Sequence, residues 1–110
     1  MSSQYRILLR PKAKLDLQEI VSYLVENAGS GIAFGFVDSF EAQLTTLSEF
    51  HYLGQEHHFK KKGQRPIRII PLPNFEKWLI MYRVLKQEES IIIVRVLHGS
   101  TNYRENMNIL

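Results

Sequence analysis

The sequence predicts an α+β fold in the order β-α-α-β-β-β, a helical hairpin packed on one face of a mainly antiparallel four-stranded sheet. Three observations predict it. Apolar residues recur at helical spacing in two successive stretches between Ala13 and Phe50. Gly29-Ser30-Gly31 separates those stretches with residues that accept a tight turn. After Gly54 the pattern changes to strand-like runs, two of them apolar on both faces, as strands inside a sheet are. Two helices followed by a run of strands is the pattern of an α+β domain.

Each element has its own signal. Tyr5 to Arg10 is a short apolar run stopped by Pro11, and reads as a strand. Pro11 suits the first turn of a helix, where its missing N–H costs nothing. Ala13, Leu17, Ile20, Val21, Leu24 and Ala28 then form one helical stripe, with Asp16, Glu19 and Glu26 off it. Ala33, Phe36, Val37, Phe40, Leu44 and Leu47 repeat the spacing to about Phe50. Phe36, Phe40 and Phe50 are core by that spacing. Gly35 lies inside this second helix, where it is expected to let the first helix approach closely. Residues 55–65 have no period and read as a loop. Strands follow at Ile67 to Leu72, Lys77 to Leu85 and Ser90 to His98, with a turn at Lys86-Gln87-Glu88-Glu89. Trp78 and Tyr82 alternate along a central strand and read as core.

The chain of 110 residues suffices for one core, and 45% apolar residues argue against disorder. It has no cysteine, which excludes disulfides and thiolate zinc sites. The apolar patch Ile7-Leu8-Leu9 is too short for a signal core or a membrane span, so a cytoplasmic protein with no membrane partner is expected. His51, His57 and His58 lack the spacing of a metal site, and no cofactor motif is visible. Net charge is +3, unevenly spread. Residues 1–56 hold four bases and seven acids; residues 57–110 hold ten bases and four acids. That segregation suggests an acidic or polyanionic partner.

The ordered set of residues also carries a resemblance. It comprises Pro11-x-Ala13-x-x-Asp16-Leu17-x-x-Ile20-x-x-Tyr23, then Ala33-x-x-Phe36-x-x-x-Phe40 and Leu44-x-x-Leu47. Leu53-Gly54, Arg68, Leu79-Ile80-Met81-Tyr82-Arg83-Val84 and Ile93-Val94-Arg95-Val96-Leu97-His98-Gly99 follow in order. The chain resembles the ParE/RelE superfamily of toxins from bacterial type II toxin–antitoxin systems, on its ParE, plasmid-stabilisation side. The resemblance spans residues 5–104 as a single domain and leaves 105–110 as a short tail.

The resemblance implies a toxin that stops growth and is neutralised by an acidic cognate antitoxin, with which it forms an oligomeric complex. ParE-like members inhibit DNA gyrase. RelE-like members cut mRNA in the ribosomal A site, using the RNA 2′-OH as nucleophile. Gyrase inhibition by binding is the first expectation here. A ribosome-dependent endoribonuclease is the alternative, and a non-toxic antitoxin-binding homologue is the third.

For the nuclease, the resemblance puts loop lysines near Lys60, Lys61 and Lys62 and an arginine at Arg68, with Arg95, His98, Tyr103 or Arg104 to supply a C-terminal basic or aromatic residue. His98 is the sharpest candidate for proton transfer, since an imidazole titrates near neutral pH. The blander reading of His98 is a hydrogen bond within its own turn. For binding a target or the antitoxin, Lys60, Lys61, Lys62, Arg65, Arg68, Arg95, Tyr103 and Arg104 are the candidates. The stretch HHFKKKGQRPIR, His57 to Arg68, supplies attraction rather than chemistry in this reading. Arg68 and Arg95 form a basic patch on the open face if both point away from the helices. Otherwise they pair with surface acids such as Glu76 or Glu88.

Overall fold

A computed structural model gives the fold and describes residues 4–59, 63 and 65–103. The element order is β1 (Arg6–Leu9), α1 (Pro11–Ala28), α2 (Ser30–Glu49), β2 (Gln55–His57), β3 (Ile67–Leu72), β4 (Phe75–Leu85) and β5 (Ser90–His98). The α+β class, the helical hairpin and the three-strand meander are as expected. The sheet is not: it has five strands in the order β1-β5-β4-β3-β2. β1 runs parallel to β5, and the other pairs are antiparallel, so the sheet is mixed.

The extra strand comes from the stretch expected to be loop. Gln55, Glu56 and His57 pair with Ile69, Arg68 and Ile67. Three half-exposed polar residues carry no hydrophobic period, so pairing with β3 is what makes them a strand. The meander forms as its sequence suggests. β4 and β5 each have a strand on either side, and residues on both of their faces are buried.

Two clusters sandwich the sheet. On the helix face, Ala13, Ile20, Leu24, Phe36, Phe40 and Leu47 pack on Ile70, Leu72, Ile80, Tyr82, Ile91, Ile93 and Val96. On the other face, Phe59 and Tyr103 cover Ile67, Met81, Val94 and Leu97. That second cluster means the far face is not simply open.

Several finer expectations are corrected. Asp16, set outside the apolar stripe, is buried, while Ala28 is exposed. Only Gly29, with φ +94°, separates the helices; Ser30 and Gly31 already belong to α2. Phe50 is 62% exposed rather than core, because α2 has ended and the helical period no longer governs it. A Cβ at Gly35 would meet Phe75 Cζ at 3.8 Å and no atom of α1 within 4 Å, so Gly35 faces β4. No helix among the described residues is long and apolar enough to cross a membrane.

Candidate functional site

Two grooves of mixed lining flank the meander, and the expected site residues divide between them. The first, of about 280 Å3, runs between α1 and the ends of β4 and β5. β1 covers the β5 edge only as far as the pair Leu9–Ile93. Beyond it, Asp16 of α1 takes the place of a strand. Its Oδ2 accepts the Val96 N–H at 3.0 Å, so this buried donor is not orphaned.

The same carboxylate receives Arg95 as a fork, Nε to Oδ2 at 2.7 Å and Nη2 to Oδ1 at 2.8 Å. The register of β4 with β5 shifts between Met81 and Tyr82, opposite Ile93 and Arg95. Such a bulge bends a strand and re-aims its side chains. Here the re-aimed side chain meets α1. Side-chain exposures of 15% for Arg95 and 10% for Asp16 make this a buried pair. The hydrogen bond to Asp16 raises the Arg95 pKa, partly opposed by burial. The expected partners Glu76 and Glu88 are not the ones used.

His98 lines the same groove. Its Nδ1 accepts the Ser100 N–H at 3.1 Å and lies 2.8 Å from Ser100 Oγ. Its ring meets Trp78 edge-on at 4.9 Å. With Nδ1 engaged in the turn, Nε2 is the nitrogen left for an outside partner.

The second groove, of about 220 Å3, opens beside the start of β3. Arg68 braces its wall. Nη1 donates to Gly54 O at 2.7 Å and to Tyr52 O at 3.1 Å. The guanidinium lies over the Tyr52 ring at 4.9 Å, and Nη2 is 3.6 Å from Glu56 Oε2. Beneath it, the Tyr82 hydroxyl accepts the Gly54 N–H at 2.8 Å. Gly54 is required there: a Cβ would lie 2.7 Å from that hydroxyl. Burial pushes the Tyr82 phenol above its ordinary 10.0, with the Gly54 bond and the Arg68 charge pulling it back.

The predicted residues therefore do not converge. Arg95 and His98 share one groove; Arg65 and Arg68 share the other. The basic patch expected from Arg68 and Arg95 together is not formed, because Asp16 draws Arg95 to α1. Tyr103, expected at the surface, is 7% exposed and packs beside His57 and Phe59. The three histidines engage different partners. His51 stacks on Tyr5, His57 packs on Phe59, and His58 pairs with Glu56. Lys60, Lys61, Lys62 and Arg104 lie outside the described residues. Asp16 was not expected as a site residue, and Arg83 was noted only as a strand arginine beside Arg68 and Arg95. The signal for Asp16 was its place three residues after Ala13 on the buried face. For Arg83 it was a charge set within the apolar run from Trp78 to Leu85.

This architecture is shared with solved toxin structures. The chain superimposes on one described as the chromosomal ParDE TA system from P. aeruginosa, with a TM-score of 0.67 and 21% identity, over 86% of this chain and 96% of that one. A metal-bound toxin from Helicobacter pylori is similar at a TM-score of 0.51 and 23% identity, over 87% of this chain and 96% of that one. At such identities the likeness is one of fold. The sequence model of the ParE toxin of type II toxin–antitoxin systems, parDE, matches residues 7–103, and the chain belongs to that family. No curated protein matches the sequence.

Proposed function

We propose that this ParE-family toxin arrests growth by binding an essential target in the cytoplasm, DNA gyrase, without chemistry of its own. An acidic antitoxin holds it inactive in a complex. The observation that supports binding over catalysis is the separation of Arg68 from His98. Arg68 pairs with Tyr82, and His98 pairs with Trp78. Four residues along β4 correspond to about 13 Å at the usual strand rise, before two strand spacings are added. Arg68 is also held by Tyr52 and Gly54 through Nη1 and lies near Glu56. Two groups so placed are poorly disposed to work on one phosphate. Lys60, Lys61, Lys62, Arg65 and Arg104 add attraction for acidic surfaces.

The runner-up is a ribosome-dependent endoribonuclease. One observation favours it: the free Nε2 of His98 shares a groove with Arg95. Pulse labelling separates the readings. The chain is induced alone in a bacterium, and thymidine and methionine incorporation are followed over the first minutes. Early loss of DNA synthesis supports the gyrase reading. Early loss of protein synthesis, abolished by His98→Ala, overturns it in favour of the nuclease. Unimpaired growth overturns both and leaves an antitoxin-binding homologue.

A further inference from the structure

The face of the sheet opposite the helices carries two arginines, Arg10 and Arg83, that neither reading has used. Tyr82 and Val84 pack toward the helices, so Arg83 between them projects the other way, with Leu79 and Met81. By the same alternation Leu8 and Arg10 flank the inward Leu9. The registers place Arg83, Ile92 and Leu8 in one row across β4, β5 and β1, and Arg10 follows two residues beyond Leu8. From the other side Arg65, just before β3, lines the second groove together with Arg83. The charges of Arg10 and Arg65 both act on Arg83, lowering its pKa in the same direction as burial, the largest cause.

None of these three arginines has a counter-ion among the described residues. Among the described residues, the ion pairs involve His58, Arg68 and Arg95 instead. Arg83 Nε is buried with no hydrogen-bond partner among the described residues. A buried guanidinium donor without an acceptor is costly, and a carboxylate or phosphate oxygen is what fits its fork.

The groove itself discriminates between those two anions. Glu56 stands in its wall, and Tyr52, Val84 and Leu85 make much of the rest apolar. A continuous phosphate backbone would press its charge against Glu56. A peptide with spaced carboxylates and apolar side chains meets both kinds of wall. β4 also outruns β3: their pairing reaches Arg68–Tyr82, while Val84 and Leu85 pair only with β5. Such a strand end offers backbone groups to an extended peptide.

We propose that the Arg10, Arg65 and Arg83 cluster, with the groove beside it, docks an acidic, extended peptide segment, one carboxylate seated between Arg83 and Arg65. An acidic antitoxin would be such a partner, so the inference deepens the function proposed above and rests on it.

Fluorescence anisotropy tests it on the full chain, with a labelled peptide of alternating Glu and Val as probe and oligothymidylate as the competing class. The peptide should bind, and more weakly as salt rises. Arg83→Gln should weaken binding by roughly tenfold or more, as loss of a desolvated charge partner does. Arg83→Lys should restore only part, because the fork is lost. The double change Lys12→Gln and Lys14→Gln, on exposed positions of α1, should leave binding unchanged. If Arg83→Gln does not fold, exposed Arg65→Gln carries the same expectation. Absence of peptide binding overturns the proposal, as does an equal loss in the α1 control. Tighter oligothymidylate binding lost with the same arginines makes the groove a nucleic-acid site and overturns it too. Growth arrest is scored separately. Arrest by a chain whose peptide binding ignores Arg83 removes this inference alone. Arginine-dependent peptide binding by a chain that does not arrest growth removes the toxin reading alone.

Discussion

Asp16 joins two elements that are distant in sequence. Its carboxylate accepts the Val96 N–H and the Arg95 fork while lying inside α1. Removing one partner of a buried pair leaves the other uncompensated, so Asp16→Ala should cost about 3 kcal/mol in urea unfolding. Adding Arg95→Ala should cost less than the sum of the single changes, since the orphaned charge is gone. An additive double variant would show that the pair is not coupled. Tyr82 supplies a pH dependence. Its phenol is raised in the fold, chiefly by burial, above the ordinary 10.0. A raised pKa lends stability that is present in full below the unfolded value and is lost as pH climbs toward the folded value. Urea midpoints should therefore fall as pH rises above about 10, the ordinary value, and fall less in Tyr82→Phe. An unchanged alkaline slope in that variant would assign the effect to other groups. At this scale the sequence was only partly legible. Asp16 sits at core spacing, but an acid is legible as core only once its partners are known.

At the scale of elements, α2 shows how a helix chosen by its apolar stripe is finished by polar contacts. Ser39 donates to Pro73 O at 2.5 Å, and Gln43 donates to Pro71 O at 2.7 Å. Both side chains are buried and fasten α2 to the end of β3, where the register shifts between Pro71 and Leu72. Gly35 plays no such part. A Cβ there would make ordinary contact with Phe75, and the backbone is helical. Gly35→Ala should therefore raise stability by up to about 1 kcal/mol, read as a higher thermal midpoint. A clear loss would mean that Phe75 cannot yield. The long elements were legible because periodicity accumulates over many residues: β3, β5 and both helices are close to the expected bounds. β2 was not, because three polar residues have no period and owe their strand to β3.

At the scale of the whole molecule, the segregation of charge survives folding but is redistributed. Among the basic C-terminal residues, Arg95 is neutralised by Asp16 from the acidic half, and Arg68 is held by the turn that follows α2. Arg83, from the basic half, instead feels the like charge of Arg10 from the other end of the chain. The family resemblance was legible from the ordered motifs, and it holds over residues 7–103. The geometry of the site was not. Helical stripes, strands apolar on both faces and a basic C-terminal half belong to the sequence itself, because each is a property of neighbouring residues. The parallel placement of β1 on β5 was decided only in the tertiary structure. So were the bridge from Asp16 to Arg95, the distance between Arg68 and His98, and the placing of Arg10 where its charge acts on Arg83. Each depends on pairing between segments far apart in the chain, and local periodicity carries no record of which strand a strand will choose.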